Sequence, residues 1–233
     1  MTTHEYMPNK TFEYSRSAVE YRPSVEKTSA ICLSLADLCI RYAGVERVPR
    51  YHEAHRENDA EHSLMVAVLS VELASTLRPE LDRGMLSQFA TVHDFVEIAV
   101  GDTPTYNLSD QQLLDKHQRE QAALASLLET LPPYTGHLLQ AYEQQASPEA
   151  RFVRAVDKLT PLLVDILGPG RMVMREDYGI TSVGELVKNK LRLDESMIRR
   201  FGEDTPEVVE LYQYLGELFT QTYQAEEDDL SGV

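Results

Sequence analysis

The chain has 233 residues, of which 42% are apolar and 26% are charged, a composition typical of one globular domain with a sizeable core. Its 22 Lys and Arg against 38 Asp and Glu give a net charge of −16 at pH 7, which argues against binding to duplex nucleic acid or to an anionic membrane. A small phosphate ester needs only a few local cations or a metal ion, so this ligand class stays compatible with the charge.

No segment of the sequence predicts export or membrane insertion. Residues 1–14 carry no apolar core of the kind found in signal peptides, and no stretch approaches about 18 uninterrupted apolar residues. The two cysteines, Cys32 and Cys39, are too few for a disulfide scaffold, and we interpret them as small core fillers of one helix. We therefore expect a cytoplasmic protein.

Helical periodicity and turn signals predict an all-α fold, without strand alternation of useful length and without a hairpin. The predicted helices cover residues 24–43, 58–77, 83–100, 109–131, 136–145, 147–167, 182–201 and 206–225. Residues 1–23 are predicted to form an extended arm, residues 24–225 a single helical domain, and residues 226–233 an acidic, disordered tail.

Caps and helix breakers support these boundaries. Asn58, followed three residues later by Glu61, is typical of a capping box at the start of the second helix. Ser147 followed by Pro148 is a common pair at a helix start. Pro161 lies within the helix that this pair begins, so we expect a kink there.

Three predicted helices place polar side chains where a helix would otherwise bury apolar ones. The residues concerned are His62, His93, Asp94, Glu97 and Asp157. Burying an isolated carboxylate or imidazolium costs several kcal/mol, so such groups need partners. Two neutral imidazoles and two carboxylates from three helices would make a mixed nitrogen and oxygen site for a divalent transition metal. Glu97, one turn after His93, is expected to lie on the same face.

Each of these residues also has an ordinary structural explanation. A lone histidine on an apolar face is more often a hydrogen-bonded core residue, and Asp157 beside Lys158 is more often half of an ion pair. The combination favours a metal site, because a histidine, a His-Asp pair and an aspartate each lie on an otherwise apolar stripe.

The order His62, His93-Asp94 and Asp157 resembles the H…HD…D signature of the HD-domain metal-dependent phosphohydrolases. The segments RENDAEHSL, HDFVEIAVGDTPT and VRAVDKL further resemble the YfbR-type 5′-nucleotidases of that superfamily. This resemblance covers about residues 47–167. It implies a helical bundle of the HD-domain type, extended by C-terminal helices that lie outside the match.

The resemblance also implies the roles of the polar residues. It implies that one divalent metal ion is bound by four ligands, namely His62, His93, Asp94 and Asp157. This ion would be Mn²⁺, Co²⁺, Fe²⁺, Ni²⁺ or Zn²⁺. The resemblance implies that Glu97 orients or deprotonates the attacking water, and that Asp102 is a general acid toward the leaving 5′-oxygen or orients the sugar. The alternative for Glu97 and Asp102 is a supporting or capping role.

Two cations complete the predicted site. Arg47, fifteen residues before the first histidine, stands where this branch has an arginine near a proline, which implies that Arg47 grips the phosphate as a bidentate fork. The alternative is a solvated loop arginine, since Pro49 predicts that residues 45–57 are irregular. Lys158 is interpreted either as a phosphate contact or as a partner of Asp157.

The implied activity is hydrolysis of a nucleoside 5′-monophosphate, with a deoxynucleotide favoured, through attack of a water held by the metal. Two alternatives stay open: hydrolysis of nucleoside triphosphates on the same metal, to which Arg50 and Arg56 of the loop would contribute, and a metal-bound binding module without turnover. Val48 stands where YfbR-type enzymes have a bulky aromatic residue that helps to exclude a ribose 2′-hydroxyl, so the sugar preference is undecided.

We expect a small nucleotide as the binding partner, and neither duplex nucleic acid nor a membrane. The last predicted helix carries apolar residues at helical spacing, namely Val208, Leu211, Leu215, Leu218 and Phe219. These side chains would either form a homodimer interface or cover the core of their own chain.

Overall fold

The chain forms a helical bundle with one small β-hairpin in a computed structural model that describes residues 24–102 and 110–231. Within these residues the helices are α1 (Val25–Tyr42), α2 (Asp59–Leu77), α3 (Arg83–Val92), α4 (Glu97–Val100), α5 (Asp110–Thr130), α6 (Pro133–Gln144), α7 (Pro148–Asp157), α8 (Thr160–Leu167), α9 (Gly170–Glu176), α10 (Val183–Phe201) and α11 (Pro206–Ser231). The strands are β1 (Glu46–His52) and β2 (His55–Asn58). The predicted all-α class is confirmed, with the hairpin as an addition.

The main core lies between α2, α3, α7 and α11. It contains fully or nearly fully buried side chains from each of these helices, including Val66, Phe89, Phe152 and Val208. The start of α2 has the predicted capping box: the Asn58 side chain accepts the Glu61 N–H, and the Glu61 carboxylate accepts the Asn58 N–H. Because the cap fixes the first turn of α2, it also fixes the direction of the side chains in that turn.

Among the described helices, α2 is the one long and apolar enough to span a membrane by length and composition. A helix that buries one face against a bundle can have the same composition. α2 packs against α3 and α7, and its polar residues Asp59, His62 and Ser70 are buried among them.

The predicted helix over residues 83–100 is divided into α3 and α4. In the connecting turn, the Phe95 N–H donates to Val92 and the Glu97 N–H to Asp94, both three residues back. The Nδ1 atom of His93 lies 2.8 Å from the Ala90 carbonyl oxygen, the acceptor that Asp94 N–H would use in a regular helix. His93 and Asp94 therefore lie in a tight turn at a helix end, and the expectation that they are mid-helix was wrong.

The predicted helix over residues 147–167 is likewise divided, into α7 and α8. Pro161 has no N–H to donate to the carbonyl of Asp157, and its ring would crowd that carbonyl. The Thr160 hydroxyl donates to the same carbonyl instead, at 2.8 Å. The sequence predicted a kink at Pro161 within one continuous helix, whereas the structure interrupts the helix before Pro161 and places Asp157 at the end of α7.

The expectation of an irregular segment without a hairpin was wrong. β1 and β2 pair antiparallel, with Glu46 opposite Asn58 and Arg50 opposite Arg56. The pairing shifts register between Glu46 and Arg50, and this stretch contains Pro49, which cannot donate to a strand ladder. The buried face of β1 carries Arg47 beside Pro49. The usual alternation of apolar and polar residues is therefore missing from the sequence.

The turn after α8 is in close contact with this hairpin. A Cβ on Gly168 would lie 2.4 Å from the Arg50 carbonyl oxygen and 2.9 Å from that of Val164. Both are backbone atoms, so we expect Gly168→Ala to lower the free energy of unfolding by about 1–3 kcal/mol in urea denaturation. Gly184→Ala is the control, because outside its chain neighbours and its own helix backbone no described atom lies within 4 Å of its added Cβ. Equal unfolding midpoints for Gly168→Ala and wild type would contradict this contact.

The two cysteines are not core fillers, because Cys32 and Cys39 are both exposed and unpaired within the described residues. α1 packs through one face only, with Leu38 and Tyr42 buried. The cysteines lie outside that buried face, so a seven-residue spacing alone did not identify the packed side.

The C-terminal helix covers the core of its own chain. Val208 belongs to the main core, Leu211 and Leu215 pack against it, and Phe219 joins a cluster with residues of α9. Leu218 is 38% exposed. The homodimer stays a prediction and would require another face. α11 continues to Ser231, beyond its predicted end at residue 225, whereas the predicted arm over residues 1–23 and residues 232–233 lie outside the described residues.

Candidate functional site

Four of the predicted site residues come together beside α2. They are His62 from the first turn of α2, His93 and Asp94 from the turn after α3, and Asp157 from the end of α7. Each offers one ligand atom, and these four atoms all lie within 4.8 Å of one another. The two imidazole side chains are fully buried.

The distances within this cluster match those between ligands of one metal ion. His62 Nε2 lies 3.2 Å from His93 Nε2 and 3.0 Å from Asp157 Oδ1, and His93 Nε2 lies 3.1 Å from Asp94 Oδ2. The two remaining distances from the imidazoles to the carboxylates are 3.5 and 3.8 Å. Ligands about 2.1 Å from a metal are about 3.0 Å apart at right angles and about 3.4 Å apart in a tetrahedron.

The hydrogen bonds on the outer side of each ring define its tautomer. His93 Nδ1 faces the Ala90 carbonyl oxygen, which can only accept, so in the neutral ring Nδ1 carries the proton. His62 Nδ1 lies 3.2 Å from the Thr160 hydroxyl, which donates its own hydrogen to a backbone carbonyl. When both rings are neutral, their Nε2 lone pairs therefore face each other, as those of metal-binding histidines do.

The electrostatics of the cluster favour a cation at its centre. Burial lowers the pKa of His62 to about 4, which keeps this ring neutral. Burial acts in the same direction on His93, but the carboxylates of Asp94 and Asp157 outweigh it and raise the pKa of His93 to about 10. The two carboxylates thus favour positive charge between the rings, which the His93 proton supplies and a divalent metal ion would supply in its place, and the residues present fit such an ion.

Glu97 and Asp102 lie at the edge of this cluster. Burial and the nearby charges of Asp94 and Asp102 raise the pKa of Glu97 to about 10. Burial also raises the pKa of Asp102, and Asp94 acts in the same direction. Gly101, with φ of +73°, turns the chain between α4 and Asp102, a conformation that favours glycine. The motif residues that follow, 103–109, lie outside the described residues.

Arg47 is buried beside the cluster and is not a solvated loop arginine. Its side chain is 9% exposed, and its Nε lies 3.2 Å from Glu57 Oε2. One terminal nitrogen, Nη1, lies 3.2 Å from Asp59, 3.1 Å from Asp94 and 3.5 Å from Glu97. The structure thus places the guanidinium among four carboxylates, and its contact with a phosphate stays a prediction.

Sequence reasoning missed Glu57 and Asp59, whose side chains are fully buried next to Arg47. Burial raises the pKa of each carboxyl to about 7 despite the neighbouring guanidinium. In the segment RENDAEHSL, Asn58 and Glu61 carried a capping signal and His62 a metal signal, whereas neither Glu57 nor Asp59 was assigned a role. Glu57 is turned inward on β2 and Asp59 in the first turn of α2, and the sequence shows no apolar alternation along the hairpin that could have revealed Glu57.

The other predicted cations have partners of their own. Lys158 Nζ lies 2.6 Å from Asp157 Oδ2, which is the ion-pair alternative, while its phosphate contact stays a prediction. Arg50 and Arg56 both bind the carboxylate of Asp177, at 2.9 and 2.6 Å. Val48 packs against the apolar cluster around α9, on the opposite face of β1 from Arg47.

Comparison with known protein families gives a match to more than half of the chain. The sequence model of the family described as HD domain matches residues 44–195, more than half of the chain. The 5′-deoxynucleotidase HDDC2 of Homo sapiens is 30% identical over 129 residues, covering 51% of this chain and 60% of that protein. The 5′-deoxynucleotidase hdd1 of Schizosaccharomyces pombe is 30% identical over 118 residues, covering 46% of this chain and 57% of that protein. The chain thus spans about three fifths of the length of these curated relatives.

A solved structure shows the same fold. It is described as a "predicted metal-dependent phosphohydrolase" from Magnetospirillum magnetotacticum MS-1, and its TM-score to this chain is 0.64. The two are 24% identical, and the likeness covers 83% of this chain and 95% of that one. At this identity the likeness concerns the fold, and together with the family match it confirms the helical bundle of the HD-domain type.

Proposed function

The chain belongs to the HD domain family, and on that premise we propose that it is a divalent-metal-dependent phosphohydrolase, specifically a 5′-(deoxy)nucleotidase. It would convert nucleoside 5′-monophosphates to nucleosides and inorganic phosphate. The observation that carries this proposal is the convergence of two imidazole nitrogens and two carboxylates within 4.8 Å. The names of the human and fission yeast relatives support a nucleotide substrate.

The chemistry requires positive charge at the phosphate. A phosphate monoester dianion repels an approaching hydroxide, which makes the uncatalysed reaction extremely slow. A divalent ion held by His62, His93, Asp94 and Asp157 would neutralise phosphate charge and lower the pKa of a coordinated water. The protein contributes by holding both rings through their Nδ1 atoms, so that the donor atoms need no rearrangement.

Glu97 and Asp102 are the residues we propose for proton transfer. Once Asp94 ligates a cation, its negative charge would no longer repel a carboxylate at Glu97. The pKa of Glu97 would then fall toward the range in which this residue accepts a proton from water. Burial raises the pKa of Asp102, so this carboxyl group would keep its proton at a higher pH than an exposed aspartate. It would donate that proton to the leaving 5′-oxygen.

The contacts of the loop cations favour a monophosphate over a triphosphate. Arg50 and Arg56, the residues that would meet additional phosphates, are both bound to Asp177. The binding-module alternative requires Glu97 to be engaged structurally. Its Oε2 lies 3.5 Å from Arg47 but has no hydrogen-bond partner among the described residues, so Glu97 retains an acceptor for water.

A nucleotide panel tests the proposal. The purified protein is stripped with a chelator, reloaded with Mn²⁺ or Co²⁺, and given ribo- and deoxyribonucleoside 5′-monophosphates and triphosphates. We expect inorganic phosphate from the 5′-monophosphates and a loss of at least about 100-fold after chelation, because several kcal/mol of charge stabilisation disappear. Nucleoside 3′-monophosphates are the control for the position of the ester.

The same panel separates the alternatives. Release of inorganic triphosphate would establish the triphosphohydrolase, and tight nucleotide binding without release, with every metal tried, would establish the binding module. Comparison of ribo- and deoxyribonucleotides decides the sugar preference, for which Val48 offers no bulky ring.

A further inference from the structure

The proposed reaction brings more negative charge to the cluster than one divalent ion would offset. Such an ion would balance the charges of its two carboxylate ligands, Asp94 and Asp157. The phosphate group of a nucleoside 5′-monophosphate is a dianion, and charges that are removed from water require partners of opposite sign. Side-chain cations beside the cluster are therefore needed to bind the phosphate.

Three of the cations around the cluster already have close contacts. The Arg47 guanidinium contacts four carboxylates, and Lys158 Nζ lies 2.6 Å from Asp157 Oδ2. Arg154 lies over the ring of the buried Tyr142, with 5.0 Å between its Cζ atom and the ring centroid. Each of these side chains would have to give up a close ion pair or a stacking contact in order to turn to a phosphate.

Lys116 of α5 is a further cation at the edge of the cluster. α5 packs against α4, and α4 ends two residues before Asp102. Lysine side chains are usually exposed, but that of Lys116 is only 15% exposed. Burial raises the pKa of Asp102, and the positive charges of Arg47 and Lys116 oppose this rise, so the ammonium of Lys116 is close enough to act on this carboxyl group. Lys116 thus lies beside the site on a different helix from Lys158.

The ion pair between Lys116 and Glu120 can be exchanged for a phosphate contact. Lys116 Nζ lies 3.4 Å from Glu120 Oε1, one turn later in the same helix. Pairs of this kind contribute little to stability, because ordering two long side chains offsets most of their attraction. The lysine ammonium carries three donors on a flexible stem, so it can reach a phosphate oxygen without movement of its helix.

We propose that Lys116 binds the phosphate group of the substrate through a charge-assisted hydrogen bond, and that Glu120 holds the ammonium at the edge of the site when no substrate is bound. The inference rests on the proposed function, because it requires a phosphate at the metal centre, but it does not depend on the base or the sugar. The competing role for Lys116 is to hold Asp102 in position. The two roles differ in whether phosphate by itself is bound more weakly when Lys116 is replaced.

Binding of inorganic phosphate tests the role of Lys116 independently of turnover. Each protein is loaded with Mn²⁺, freed of unbound ion by gel filtration, checked for equal manganese content and titrated with inorganic phosphate by calorimetry. We expect the Kd for phosphate to rise by about 10- to 100-fold in Lys116→Met, the loss typical of a hydrogen bond to a charged group. The KM for a 5′-monophosphate should rise with it, while kcat changes little. Lys116→Arg keeps a cation and should stay close to wild type.

Lys190→Met is a matched control for Lys116→Met. The Lys190 side chain is 16% exposed, and its Nζ lies 2.7 Å from Asp194 Oδ2, one turn later in α10. It should keep the wild-type affinity for phosphate. Glu120→Gln frees the ammonium of Lys116 from its partner and is expected to bind phosphate at least as tightly as the wild type. Weaker binding by Glu120→Gln would contradict the role of Glu120.

The results also separate this inference from the proposed function. Wild-type affinity for phosphate in folded Lys116→Met would overturn the inference, and a fall in kcat alone would assign Lys116 to Asp102 instead. Lys116→Gln replaces Lys116→Met if the latter fails to fold by circular dichroism. If the wild type neither binds phosphate nor releases it from any 5′-monophosphate, the proposed function fails, and the inference fails with it.

Discussion

Asp157→Ala is expected to abolish metal binding and phosphate release together, with a fall in kcat/KM of at least about 1,000-fold. Loss of a residue that merely supports a ligand typically costs about 10–100-fold, and loss of a ligand should cost more. Asp157 Oδ1 lies 3.0 Å from His62 Nε2, inside the cluster. Its removal also leaves the ammonium of Lys158 without its 2.6 Å partner and next to the remaining donors, where it would repel a metal ion.

The measurements are manganese content after gel filtration and nucleotide hydrolysis by the same preparation. Asp194→Ala provides a matched control, because Asp194 is also a buried aspartate paired with a lysine, with 2.7 Å between Lys190 Nζ and Asp194 Oδ2. Asp194→Ala should lower the unfolding temperature and keep both metal and activity. Wild-type metal content in Asp157→Ala would show that Asp157 is not a ligand.

Glu97→Gln is expected to keep the metal and lose turnover. The amide has the shape of the carboxyl group but cannot accept a proton from water, and general base catalysis typically contributes about 10²–10⁴-fold to the rate. We therefore expect kcat to fall by about that factor while KM changes little. This separation of metal binding from turnover distinguishes Glu97 from Asp157.

Steady-state kinetics with a 5′-monophosphate, together with manganese content, test this expectation. Glu143→Gln serves as the comparison, because Glu143 is a half-buried glutamate whose pKa is also raised by burial and which pairs with Arg154. It should retain wild-type kcat. Undiminished hydrolysis by Glu97→Gln would remove Glu97 from the mechanism, and loss of metal would instead place it among the ligands.

The sequence by itself determined the helical class, most helix starts, and the set of side chains to examine. The capping residues Asn58 and Ser147 act on their own first turns, so their effect is visible without a partner. The same holds for His62, His93 and Asp157, because a polar residue on an apolar stripe is a local anomaly. Their convergence is the outcome of helix packing, which the repeated apolar stripes already required.

Only the tertiary structure determined the positions that those side chains occupy. The tight turn at His93 depends on its ring reaching the Ala90 carbonyl oxygen, and the interruption after Asp157 on the Thr160 hydroxyl replacing a missing N–H. The exposure of Cys32 depends on which face of α1 finds a partner. In each case several contacts compete, and a periodic sequence pattern does not show which of them is the more favourable.

The surroundings of Arg47 were the furthest from what the sequence could predict. Its four carboxylate partners come from β2, α2 and the α3–α4 region, and they meet because the hairpin turns Arg47 and Glu57 inward, toward the start of α2 and the turn after α3. Burial of charge is unfavourable for each residue separately and becomes tolerable only when opposite charges are brought together. Such compensation is a property of the folded arrangement, so a sequence pattern that assigns each residue separately cannot contain it.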